Sequence, residues 1–100
     1  MFVTLLVRRL KSGRTEEDFL QAWYPDEGLG FAWQGLYLAR NISEPREILT
    51  YGLVDLPDRG TLDRELARVA PAIRHDRIAS VIESTTAHGI FELTQFRLFD

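Results

Sequence analysis

Phe2-Val3-Thr4-Leu5-Leu6-Val7-Arg8-Arg9-Leu10 opens the chain and decides its fold class. The run is apolar and β-branched, so it reads as a strand. Val3, Leu5 and Val7 share one face of that strand, and Phe2 and Leu6 share the other. A strand with one wet face alternates apolar and polar residues, and this one does not. Both faces of the sheet it enters are therefore expected to be at least partly covered.

Downstream, Lys11-Ser12-Gly13-Arg14 is a turn. Thr15 can cap a helix whose first turn carries Glu16, Glu17 and Asp18 at the positive end of the dipole. Phe19, Leu20 and Trp23 give that helix an apolar stripe, and Pro25 and Gly28 end it. Trp33 to Asn41 and Glu47 to Leu56 read as two strands joined by the Ser43-Glu44-Pro45 turn, hence an antiparallel hairpin. Tyr37 and Ala39 share one face of the former, Leu36 and Leu38 the other. The latter sets Ile48 and Val54 against Leu49, Tyr51 and Leu53.

After the Pro57-Asp58-Arg59-Gly60 break, Thr61 is placed to cap a second helix with Leu62, Leu66, Val69 and Ile73 on one face. Pro71 predicts a kink or restart within it. Residues 78–84 read equally as a helical tail or an extended segment. Ile90 to Phe99 reads as the last strand, with a bulge expected near Thr94-Gln95 where the apolar phase shifts.

The order β-α-β-β-α-β predicts an α+β, ferredoxin-like single domain over residues 1–100, with a four-stranded antiparallel sheet and two helices on one face. Those helices leave the second face bare. A second copy of the same sheet is the economical cover, which predicts a homodimer.

Composition narrows the function classes. The hydrophobic fraction is 45% and the charged fraction 27%, both ordinary for a folded domain. A net charge of −3, with the arginines scattered, argues against nucleic acid as a partner. There is no cysteine, so thiolate metal sites and cysteine nucleophiles are excluded. No apolar run approaches the roughly 18–20 residues that span a bilayer. The expectation is a cytoplasmic protein with no membrane partner, no metal and no cofactor. No glycine-rich phosphate loop follows a strand, and no Gly-x-Ser-x-Gly elbow is present.

With that order in about 100 residues, and both sheet faces apolar, the chain resembles the dimeric α/β-barrel superfamily. That group includes antibiotic-biosynthesis monooxygenases, EthD-type proteins, muconolactone isomerases and haem-degrading enzymes. Residues 2–13, followed by Thr15-Glu16-Glu17-Asp18-Phe19 and Ala22-Trp23, are similar to the EthD-like opening of strand, basic glycine turn and Phe-x-x-x-Trp helix. Where the EthD-like pattern has a histidine after the tryptophan, this chain has Tyr24-Pro25-Asp26-Glu27. The asparagine and tryptophan of the haem-degrading branch are also missing. The resemblance implies a fold and a dimer, and a cofactor-free oxygenase or isomerase acting on a small apolar or aromatic substrate.

Four residues are candidates for catalysis. Tyr37 and Tyr51 sit mid-strand, where an inward phenol needs a partner and suits a ligand carbonyl. His88 stands before Gly89, at a turn or at a site rim. Glu92 is the carboxylate most out of place on an apolar strand, and burial without a cation would raise its pKa. Asp26-Glu27 offers a base in place of the missing histidine, against a solvated turn. His75-Asp76 is read as a helix C-terminus or, less simply, as a haem ligand.

Trp23, Phe31 and Trp33 are candidate walls for a flat apolar ligand, or core and interface contacts. One of Arg8 and Arg9 must face each side of the sheet, and an inward Arg8 is a candidate partner for an acidic ligand, Asp55 or Glu92. A non-catalytic ligand-binding or regulatory module, and a purely structural dimer, stay open beside the enzyme.

Overall fold

The structure is a computed structural model that describes residues 1–23, 30, 32–70 and 75–95, with His75 described by its backbone alone. Strand β1 spans Phe2–Leu10 and helix α1 spans Glu16–Trp23. Strands β2 (Trp33–Arg40) and β3 (Glu47–Val54) form a hairpin. Helices α2 (Arg59–Val69) and α3 (His75–Ala79) precede strand β4 (Ile82–Glu92). The sheet order is β2-β3-β1-β4 and every neighbouring pair is antiparallel. This is the ferredoxin-like α+β arrangement, with β1 and β3 in its centre.

The helix starts follow from side-chain chemistry. Thr15 Oγ1 accepts the Asp18 amide at 3.2 Å, and Asp18 Oδ2 accepts the Thr15 amide at 2.9 Å. That reciprocal pair satisfies two amides that α1 cannot pair internally. At α2 the cap is Asp58 rather than Thr61. Asp58 Oδ1 accepts the Thr61 amide at 2.8 Å and the Thr61 hydroxyl at 2.9 Å. Those bonds, led by the backbone amide, hold the Asp58 carboxyl below its ordinary pKa.

The last strand departs most from expectation. It begins at Ile82 rather than Ile90, and it ends at Glu92. Residues 84–88 read Ser-Thr-Thr-Ala-His and are exposed, so they carry little hydrophobic signal. They join the sheet through backbone pairing with β1, and that stretch is an edge strand. The bulges lie here rather than at Thr94-Gln95. The register slips between Val7 and Arg8 and again between Arg9 and Leu10, opposite Thr86 and Glu83. The second and third strands end one and two residues early. Asn41 and Asp55 instead donate their amides to Glu47 and Ala32.

Register assigns the two faces. Phe2, Arg8 and Leu10 of β1 and Ile48, Thr50 and Val54 of β3 are all buried on the helix side. The core there has two parts. Leu10 and Ile48 pack with Phe19, Ala22, Ile78 and Val81 at one end of the sheet. Phe2 and Val54 pack with Leu62 at the other. Phe19 is fully buried, and its replacement by alanine is a change of roughly 3–5 kcal/mol. The opposite face is apolar as well. Val3, Leu5, Val7, Leu49 and Leu53 are half-buried there, while Tyr37 and Phe91 are 43% and 55% exposed.

Candidate functional site

On the helix side, the same-face residues of β1 run Phe2, Thr4, Leu6, Arg8, Leu10, and those of β3 run Ile48, Thr50, Gly52, Val54. Bulky apolar residues stand at both ends, and small or polar ones occupy most of the middle. The ends fill against the helices and the middle does not. A cavity of about 520 Å³ lies there, between the two core clusters.

Thr4, Leu6, Arg8, Thr50, Gly52 and Leu36 form its sheet side. Trp23 and Ile78 wall it at the end of the first cluster, Trp33 and Leu66 wall it at the end of the second, and Val69 lines it as well. His88, Ile90 and Arg59 complete the lining, and Leu5, Tyr51 and Gly89 border it. A volume in this range, with mostly apolar walls and a few polar groups, suits a small organic ligand.

Gly52 sets the depth of the sheet side. A Cβ there would stand 3.0 Å from Leu36 Cδ2, Thr4 Oγ1 and Trp33 Cζ3 at once. Only a glycine lets the Trp33 indole settle this close to the strand. The indole is also held from outside. Its Nε1–H donates to Glu65 Oε1 at 3.1 Å, and Glu65 is in turn gripped by Arg68. The Arg68 hydrogen bond first, and the Trp33 bond after it, keep the Glu65 carboxyl below its usual pKa.

Arg8 is the unusual member. It is 7% exposed, its guanidinium carbon lies 5.1 Å above the Phe19 ring, and an Nη2–H donates to Thr50 Oγ1 at 3.0 Å. Its Nε–H is buried with no acceptor, and no carboxylate pairs with it among the described residues. Burial lowers its pKa, yet arginine starts so high that it stays charged at neutral pH. A buried, uncompensated charge costs several kcal/mol, and a cation–π contact returns roughly 0.5–2 of that. Neither Asp55 nor Glu92, the expected internal partners, forms an ion pair with it. Asp55 is exposed and ends the hairpin, and Glu92 is exposed on the edge strand.

His88 sits across from Leu6 on β4, on the cavity face and open to solvent. It is a diagonal neighbour of Arg8 on that face. Trp23 stacks on Phe19 with ring centroids 5.6 Å apart, which fixes its ring at the cavity wall.

The other expected residues are placed elsewhere. Tyr37 and Tyr51 stack on one another at 4.7 Å on the sheet's outer face, away from the helices. Tyr51 borders the cavity from beneath, and Tyr37 does not reach it. Glu92 does not line the cavity, and it is exposed rather than buried, because its strand is the sheet edge there. The four candidate catalytic residues are thus not brought together. Phe31, Asp26, Glu27 and the His75 side chain lie outside the described residues. Thr50 and Gly52 carried the signal that reading strand by strand missed, and the paired register reveals it. Among the described residues no group of three or more histidine or carboxylate side chains is placed to hold a metal. No helix among them is long and apolar enough to cross a membrane.

Two solved structures share this architecture. One is a candidate antibiotic biosynthesis monooxygenase from Chloroflexus aurantiacus J-10-fl, with a TM-score of 0.66 and 15% identity over 96% of this chain and 95% of that one. The other is protein SO0527 from Shewanella oneidensis, with a TM-score of 0.59 and 21% identity over 91% and 92%. The chain shares the ferredoxin-like fold of these two proteins. No protein-family profile matches it, and no curated protein matches it significantly. At these identities the likeness is one of fold, over nearly the whole of each chain.

Proposed function

We propose that this chain is a cofactor-free enzyme of the monooxygenase-like kind, working in the cytoplasm as a homodimer. Its substrate is small, flat and mostly apolar, and it occupies the helix-side cavity. One observation carries the reading: a cavity of about 520 Å³ with aromatic and aliphatic walls holds a buried cation and, at its edge, a histidine. Oxygenation and isomerisation of a carbon acid share a first step, removal of a proton to leave an anion. His88 is the group here that would act as the base, and Arg8 the group that would stabilise the charge left behind. Trp23 and Trp33 would sandwich or flank the ring system.

The test is oxygen uptake with a panel of flat aromatic carbon acids, in metal-free buffer, for the wild type and His88→Gln. Turnover in the wild type, reduced roughly 10²–10⁴-fold in the variant while binding persists, is the expected result. A non-catalytic binding module is the second reading. It is favoured by the absence of any carboxylate or nucleophilic serine in the described cavity lining. Binding without turnover in both proteins would establish it.

A further inference from the structure

We infer that the cavity is built for an organic anion, an apolar carboxylic acid whose carboxylate pairs with the Arg8 guanidinium. This rests on the reading of the cavity as a ligand site and adds the charge of the ligand to it.

The argument starts from cost. Arg8 is 7% exposed on a face that holds no carboxylate paired with it, and its Nε–H is buried with no acceptor among the described residues. Folding leaves such a group uncompensated only at a penalty, and a methionine or leucine would fill the position more cheaply. Thr50 and the Phe19 ring hold the guanidinium in place without neutralising it. Both contacts orient it. The hydroxyl takes an Nη2 hydrogen, and the guanidinium carbon stands over the ring.

Charge around the cavity points the same way. Its described lining has two cations, Arg8 and Arg59, and no carboxylate. Arg59 is already bound to Asp63 through its Nε at 3.0 Å. That leaves the positive charge of Arg8 in the interior of a chain whose net charge is −3. An anion entering the cavity meets a desolvated, pre-oriented donor, and the planar fork matches a carboxylate. The apolar body of the ligand then lies between the tryptophan-bearing ends. Burial also lowers the pKa of Arg8, and the charge of an arriving anion acts in the opposite sense, favouring the charged guanidinium.

The experiment is calorimetric titration of the full chain with 2-naphthoate and with 2-naphthamide, its neutral counterpart. The wild type should bind the acid roughly ten- to hundredfold tighter than the amide. Arg8→Met should erase that gap by weakening the acid far more than the amide, and without ligand it should melt no lower than the wild type. Arg8→Lys, which keeps the charge and loses the fork, should narrow the gap and serves if the methionine variant does not fold. Equal affinity for acid and amide in the wild type, or a gap that survives Arg8→Met, would overturn the inference while leaving the cavity as a ligand site. Failure of both compounds to bind would remove the cavity reading and the inference with it.

Discussion

Gly52 and Trp33 work as a pair at the base of the cavity. With three side-chain atoms at 3.0 Å from a notional Cβ, Gly52→Ala must displace Leu36, Thr4 or the indole. All three line the cavity, so the alanine variant should reshape it and weaken 2-naphthamide binding by about tenfold, with a shifted tryptophan emission maximum. Unchanged emission and affinity would mean that the neighbours yield without moving the ring.

Glu65 controls the same indole by charge. Its folded pKa is depressed, so the stabilisation it brings is complete above the ordinary glutamate value of about 4.3. That stabilisation is lost as pH falls through the lower, folded value. Tryptophan emission should therefore stay constant from neutral pH to about 5 and change only in stronger acid. Glu65→Gln should abolish the acid-linked part of that change.

At the scale of elements, most of the topology was legible in the sequence and part of the last strand was not. β1 could be read because its apolar residues are dense enough to mark a strand, and α1 because Thr15 and the acids after it announce a start. β4 hid its first half because Ser84, Thr85 and Thr86 enter the sheet by backbone pairing and bury little. The α2 start was read three residues late, since Asp58 and Thr61 are both good caps and only geometry separates them.

The cavity was the least legible feature. Thr50 and Gly52 are unremarkable along β3 and matter only beside Thr4 and Arg8, a relation fixed by register. Caps make their own prediction. Asp58→Ala should lower the melting temperature by a few degrees, and the loss should shrink in acid as the wild-type carboxylate is protonated. Thr61→Ala should cost less, because the backbone bond to Asp58 survives it.

The whole molecule is a slab with extents of 41 × 38 × 20 Å and a radius of gyration of 14.5 Å, larger than the roughly 13 Å of a compact chain this long. Its outer sheet face is smoothed by two aromatic rings lying over glycines. The Tyr37 ring comes within 2.7 Å of where a Gly35 Cβ would be, and Phe91 within 2.9 Å at Gly89. Flat rings over glycines suit the approach of a second sheet at about 10 Å. Phe91→Glu tests the proposed dimer with little harm to a single chain, since the ring is 55% exposed. Light scattering should give two chains for the wild type at micromolar concentration and one for the variant. A wild-type monomer would contradict the proposed pairing.

The most direct measurement of the central claim is an amide and indole NMR titration of ¹⁵N-labelled protein with 2-naphthamide. The largest shifts are predicted at Gly52, Thr50, Leu6 and the Trp33 indole N–H, all at the helix-side cavity. Shifts centred instead on Tyr37 and Phe91, or none at saturating ligand, would contradict it.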